Sequence, residues 1–179
     1  MSIFTNNLSS AREEAAGYTA AVLGLLADRD PLEVLRTSAH VINQMIENVD
    51  ESVLSKPELP GKWSVRQVIA HLADSELIVG WRVRMILATD APDIIGVDQD
   101  VWADRLRYDD IAARVSLATF ATLREWNLRI YETATDGELQ RYGVHSERGQ
   151  ESVAHIIRLY AGHDILHQRQ IERILMSIR

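Results

Sequence analysis

His163 and His167 stand four residues apart in the segment Arg158-Leu-Tyr-Ala-Gly-His-Asp-Ile-Leu-His-Gln-Arg-Gln-Ile-Glu-Arg173. Four residues of α-helix advance the chain by about 6 Å and rotate it by about 40°, so both imidazoles leave one face and can converge on one metal ion. Two ligands seldom hold an ion. Three imidazoles would hold a divalent ion and leave a position open for water or substrate, an arrangement catalytic in type. A structural zinc site is normally closed by four protein ligands, and no convincing fourth is present. The competing account is a pair of hydrogen-bonded core histidines, because a buried neutral imidazole needs partners for both ring nitrogens.

The helix that carries the pair places it inward. Projected from Ser152 to Ile178, Val153, Ile156, Tyr160, Ile171, Ile174 and Ile178 form one apolar face, and both histidines lie inside it. Arg158, Arg169, Glu172, Arg173 and His155 fall on the opposite side, which makes His155 a poor ligand. A second helix, opened by the capping box Ser64-Val-Arg-Gln67 and running to about Leu87, has Val68, Leu72, Val79, Val83 and Ile86 on one face. His71 lies at the edge of that face, in line with Ser75 and Arg82. Spacing alone leaves the third ligand open among His71, His40 and His145. Leu77, Ile78, Trp81 and Met85 make a further apolar strip that implies contact with another helix or another subunit, hence a dimer.

The remaining elements follow from capping and turn chemistry. Asp30-Pro31-Leu32-Glu33 starts a helix to about Asn48, after a shorter one near Ala11 to Ala27. Pro57, Pro60 and Gly61 separate it from the helix at Ser64. Asp109 starts a third long helix through Ile111, Val115, Ala118, Thr122 and Ile130, ended by the Thr135-Asp136-Gly137 turn, and Ser152 starts the fourth. Only Tyr142 to Gly149 looks extended, too short and isolated to found a sheet. Four long helices in an all-α chain make a four-helix bundle. The connection from Thr89 to Tyr108 is long enough to cross its end and roof a site; it carries Asp98, Asp100 and Trp102.

With 179 residues, 46% of them hydrophobic and 25% charged, the chain suits one globular domain. A net charge of −7 supplies nothing to neutralise phosphates, so neither nucleic acid nor an anionic membrane is an expected partner. Without cysteine there is no disulfide, thiolate ligand or cysteine nucleophile, and a metal must be held by His, Asp, Glu or water. The N-terminus lacks the basic and apolar regions of a signal peptide, and the longest apolar stretch, Ala20 to Ala27, is broken by Gly24. A cytoplasmic protein is expected.

Three segments carry a resemblance: Leu59-Pro-Gly-Lys-Trp-Ser-Val-Arg-Gln-Val-Ile-Ala-His-Leu-Ala-Asp74, Val97-Asp-Gln-Asp100 and Ala161-Gly-His-Asp-Ile-Leu-His-Gln-Arg-Gln-Ile171. In order and content, from about Ala20 to Leu175, the chain resembles the DinB-like superfamily. That superfamily includes the YfiT-like proteins assigned as metal-dependent hydrolases and the thiol S-transferases that use bacillithiol or mycothiol. The resemblance implies a single DinB-like helical bundle domain over residues 1–179, with a short N-terminal helix within 1–29. It also implies up-down-down-up topology, a long crossover between the second and third long helices, and a homodimer. Its first metal histidine matches His71, and its H-x-x-x-H pair matches His163 and His167.

Such an ion, with zinc or nickel first among the candidates, lowers the pKa of a water or a thiol. Two reactions fit: transfer of a low-molecular-weight thiol to an electrophile, favoured by the resemblance, and hydrolysis of an amide or ester. A dimeric stress protein that holds metal or a small ligand without turnover is the third account. No general base is evident. Tyr160 and Asp98 are weak candidates for catalytic roles, and Asp164 for an edge salt bridge or an outer partner of the pair. His145 is expected on a surface loop, and His40 in a structural role within its helix.

Overall fold

The structure, a computed structural model, describes residues 8–178. The seven N-terminal residues that bear on a signal peptide, and Arg179, lie outside the described residues. Among the described residues the chain forms eight α-helices: α1 (Leu8–Leu26), α2 (Pro31–Ile46), α3 (Glu51–Leu54), α4 (Val65–Ala88), α5 (Gln99–Arg105), α6 (Ala113–Thr133), α7 (Asp136–Gln140) and α8 (Val153–Ser177). Helices α2, α4, α6 and α8 pack together as a four-helix bundle, and α1 lies along α8. At 19 residues, α1 is longer than the 16-residue α2 rather than a short leader to it. None of the described helices is long and apolar enough to cross a membrane.

The starts follow local chemistry. Asp30 accepts from the Leu32 N–H with Pro31 in the first turn of α2. The Ser64 hydroxyl accepts from the Gln67 N–H while the Gln67 side chain accepts from the Ser64 N–H, and Ser152 caps α8 through the His155 N–H. At the third long helix the expectation fails. Asp109 lies in a single 3-10 turn, Tyr108–Asp110, and accepts from the Gln67 side chain, so α6 begins four residues later. Val115, Ala118 and Thr122 face solvent, and the buried face of α6 carries Ser116, Leu117, Phe120, Arg124, Asn127 and Tyr131. Polar residues on an inward face hide it from a hydrophobic pattern. Thr135, likewise, caps the short α7 instead of closing a turn.

Residues 142–149 do found a sheet. Strands β1 (Asp93–Ile94), β2 (Tyr142–His145) and β3 (Gly149–Ser152) order as β1-β2-β3, with β1 parallel to β2 and β2 antiparallel to β3. Ile94 lies opposite His145, and Tyr142 opposite Ser152. The partner strand comes from the crossover between α4 and α6, a pairing 51 residues away that no local pattern announces. It pins the crossover to the start of α8.

Two apolar halves make the core. Ile42, Val68, Ile69, Leu72, Phe120 and Ile174 pack at one end, and Leu35, Val79, Val83, Ile86, Ile156 and Ile165 at the other. Between them, along α4, α6 and α8, come the buried Glu76, Arg124, Asn127 and Asp164. Where α8 meets α1, Gly162 is required: a Cβ there would overlap the Val22 carbonyl oxygen, which is backbone and cannot turn away. Gly162→Ala is therefore expected to destabilise by about 2 kcal/mol or more through overpacking, read as a lowered urea midpoint; an unchanged midpoint would mean that α1 is free to shift.

Candidate metal centre

His71 from α4 and His163 and His167 from α8 meet in the bundle, each at least nine-tenths buried. His163 stands between the other two: its Nε2 is 3.2 Å from that of His71 and 3.1 Å from that of His167. Two imidazoles on a tetrahedral ion at 2.0–2.1 Å would have their nitrogens about 3.3 Å apart, so both spacings to His163 fit a shared ion. His167 Nδ1 is 2.8 Å from Gln170 Oε1. An amide oxygen accepts, so Nδ1 carries the proton and Nε2 presents its lone pair to the cluster. His163 Nδ1 is buried with no hydrogen-bond partner among the described residues. His167 Nε2 can only accept and His163 Nε2 can carry one proton, so mutual hydrogen bonds satisfy at most one of the two close contacts, whereas a shared cation accounts for both.

Burial holds all three imidazoles below the usual histidine pKa, His71 and His163 far below it, with the neighbouring His167 adding to the effect on both. For His167 the Gln170 bond and Asp164 partly offset the burial. The neutral ring that results near pH 7 is the form that binds a metal.

Two of the three, His71 and His163, line a cavity of about 140 Å³. From α4, His71, Asp74, Ser75, Ile78 and Arg82 line it as one helical stripe; from α8 come Leu159, Tyr160 and His163. Ile78 thus faces the cavity and leaves the second apolar strip, while Leu77 and Trp81 remain exposed. The crossover contributes Val97, Gln99, Trp102 and Tyr108, so it does roof the site. Tyr108 donates to Asp74 at 2.6 Å. Ser75 Oγ is 3.4 Å from His71 Nε2, and the Trp63 ring lies 5.2 Å from the His71 ring.

Of the residues singled out from the sequence, Tyr160 lines the cavity with its ring 5.4 Å from that of His163. Asp98 caps α5, accepting from the Asp100 and Val101 N–H groups. Asp164 is not at an edge. It is buried and takes two hydrogen bonds from Arg124, which also reaches Glu76 and the Leu35 carbonyl. Burial works against the Arg124 charge, but the two carboxylates more than offset it and raise its pKa. His40 is exposed on α2, and His155 lies near Glu151.

His145 corrects the expectation of a surface loop: it is 2% exposed, at the end of β2, and lines the cavity. Arg82, in line with His71 and Ser75 on α4 from the sequence, lines the cavity too, and so do Asp74, Tyr108 and Arg148, which the sequence did not mark. Asp74 carried a signal, since it follows His71 by three residues on one face of α4. Burial first, then Arg148, lowers the His145 pKa from 6.5 to about 4. Between those values the unfolded chain binds a proton that the folded one refuses. Stability is therefore intact above 6.5 and falls with pH through that window, by up to about 3 kcal/mol from this residue. Urea midpoints of metal-free protein should drop less from about pH 7.5 to about pH 4.5 in His145→Gln than in wild type; equal drops would acquit His145.

A family model described as the DinB superfamily matches residues 35–171, which include all three histidines. A protein of Oceanobacillus iheyensis, named a "putative metal-dependent hydrolase", is 25% identical over 82% of this chain and 84% of its own. One of Halalkalibacterium halodurans with the same name is 28% identical over 77% and 80%. Among solved structures, YfiT from Bacillus subtilis is similar at a TM-score of 0.76 and 26% identity, covering 80% of this chain and 83% of that one. It is described as a "probable metal-dependent hydrolase with an unusual four-helix bundle topology".

Proposed function

The chain belongs to the DinB superfamily, and from that premise we propose that it is a metal-dependent hydrolase whose divalent ion is held by His71, His163 and His167. The observation that carries this reading is the meeting of three buried, neutral imidazoles whose ligand nitrogens lie within 4.8 Å of one another, two of them, His71 and His163, lining a cavity. A divalent ion there supplies Lewis acidity, polarising a carbonyl oxygen or lowering the pKa of a water. The chain's own groups do the rest. Gln170 fixes the His167 tautomer, and Asp74, held by Tyr108, offers a carboxylate one helical turn from His71 that can take a proton from an attacking water. Trp102, Val97 and Ile78 give the cavity apolar walls that restrict water around the substrate.

Thiol transfer is the second reading, because Asp74, the carboxylate nearest His71 along α4 in the cavity, already accepts from Tyr108. A thiol, with a pKa near 8.5, ionises on a divalent ion without a protein base, whereas water, near 15.7, draws on one as well. The test is turnover by zinc- and nickel-reconstituted protein. It takes nitrophenyl esters and anilides without thiol, then an aryl halide with a small thiol, each against metal-free protein and Asp74→Asn. Metal-dependent ester or anilide cleavage that falls about 100-fold in Asp74→Asn supports hydrolysis with Asp74 as base. Turnover only with thiol, indifferent to Asp74→Asn, replaces it with transfer; metal retained with no turnover marks a binding protein.

We further propose a homodimer in the cytoplasm acting on a small molecule. The exposed Leu77 and Trp81 on α4, and Trp126 on α6, support the dimer, which sedimentation of wild type against Trp81→Glu would test.

A further inference from the structure

Arg82 is 5% exposed, and no carboxylate lies within ion-pair distance of it among the described residues. Its guanidinium donates to the Ile95 carbonyl at 2.7 Å and to the Tyr160 hydroxyl at 3.4 Å. The other buried arginine, Arg124, has two carboxylates, and Arg148 beside the cavity is matched by a two-pronged pair with Glu151. A buried guanidinium bonded only to neutral oxygens is costly unless something else brings the negative charge. Arg82 lines the cavity, where a ligand can bring it.

His145 is the second, independent observation. Its Nδ1 accepts from the Glu147 and Arg148 N–H groups, so in the neutral ring the proton sits on Nε2. That Nε2 is buried and has no partner among the described residues, in a side chain that lines the same cavity. Tyr160, by accepting from Arg82, keeps its own hydroxyl proton for donation. Three donors of different types thus surround one end of the cavity, with Tyr160 between them and His163.

We propose that Arg82, Tyr160 and His145 form a carboxylate-binding subsite, so that the substrate is a monoanion held by its carboxylate while its reacting group lies at the three histidines. The subsite stands on Arg82 and His145; the placement of the reacting group rests on the metal-dependent reading above. The two ends of the cavity are distinct: Asp74 stands one turn from His71 on α4, whereas Arg82 stands eleven residues, or about 16 Å of helix rise, beyond it. Asp74 and Glu147 also line the cavity. Two fixed negative charges are tolerable to one carboxylate beside Arg82 but disfavour a phosphate dianion.

The test titrates metal-free protein with butyrate, with its uncharged amide butyramide and with inorganic phosphate, following backbone and arginine side-chain N–H signals by NMR. Butyrate is expected to bind about tenfold or more tightly than butyramide, to move the signals of Arg82 and of residues 145–148, and to lose that preference in Arg82→Gln. Equal affinity for butyrate and butyramide in wild type overturns the subsite, as does undiminished butyrate binding in Arg82→Gln. Tighter binding of phosphate overturns the assignment to a carboxylate. Should Arg82→Gln fail to fold, Arg82→Lys, which keeps the charge and loses the fork, is expected to retain part of the preference, and the wild-type comparison decides alone. Zinc titration of the same samples separates the two readings. Butyrate selectivity without zinc binding sustains the subsite and sinks the metal centre; zinc binding without butyrate selectivity does the reverse.

Discussion

Metal content is expected to fall from about one divalent ion per subunit to background when His163 is replaced by alanine, measured on untagged protein after reconstitution with zinc or nickel. His163 is the middle ligand, its Nε2 within 3.2 Å of both others, so its loss leaves His71 and His167 as an incomplete pair. Losing an outer partner of a ligand typically weakens binding about 10- to 100-fold, and losing a ligand should exceed that. Gln170→Ala, which frees the His167 tautomer, should fall within that smaller range, while His155→Ala should change nothing. Alanine at His163 also deletes the buried, unpartnered Nδ1, so the variant should fold. Unchanged metal in His163→Ala, or none in wild type, would return the cluster to a set of core histidines and remove the hydrolase with it.

Replacing Arg124 with methionine should be the most damaging change to stability, at about 3–5 kcal/mol. Arg124 is 3% exposed, and its side chain binds Asp164 at 2.7 Å and Glu76 at 2.9 Å, both carboxylates nearly inaccessible to water. Methionine fills much the same volume, so the loss is electrostatic: two buried carboxylates are left without a cation. For a chain of this size, each kcal/mol lowers Tm by about 2–4 °C, which puts the expected drop near 10 °C. Adding Glu76→Gln and Asp164→Asn to Arg124→Met should recover part of it, since the uncompensated charges are then gone. A loss of under about 1 kcal/mol in the single variant would mean that water reaches the carboxylates. Because Asp164 precedes Ile165 on the helix of the histidine pair and directly follows His163, the same variant should also loosen metal binding.

The triad and the bundle were legible because each rests on local repetition. A spacing of four puts His163 and His167 on one face whatever they pack against, the apolar stripe around them says that face is inward, and Ser64, Asp30 and Ser152 mark helix starts through bonds spanning two or three residues. The choice of His71 over His40 and His145 needed the family resemblance, because which helix faces which is not a local property. It is His71 that meets the pair, whereas His40 points to solvent.

Other features depended on partners far away in the chain. No local pattern marks Arg124 and Asn127 as buried: Arg124 binds Glu76 and Asp164, 48 and 40 residues away, and Asn127 binds Glu76, 51 residues away, and charge inside a core is stable only with such pairing. His145 read as loop until β1, drawn from the crossover, paired with β2 and buried it. The sequence by itself determined the starts of α2, α4 and α8 and the inward face of the histidine pair, since these follow from capping chemistry and periodicity. The tertiary structure alone decided the buried charge layer, the cavity walls and the placing of Arg82 beside His145 with no carboxylate at ion-pair distance among the described residues, because burial and charge compensation are set by what comes near in space.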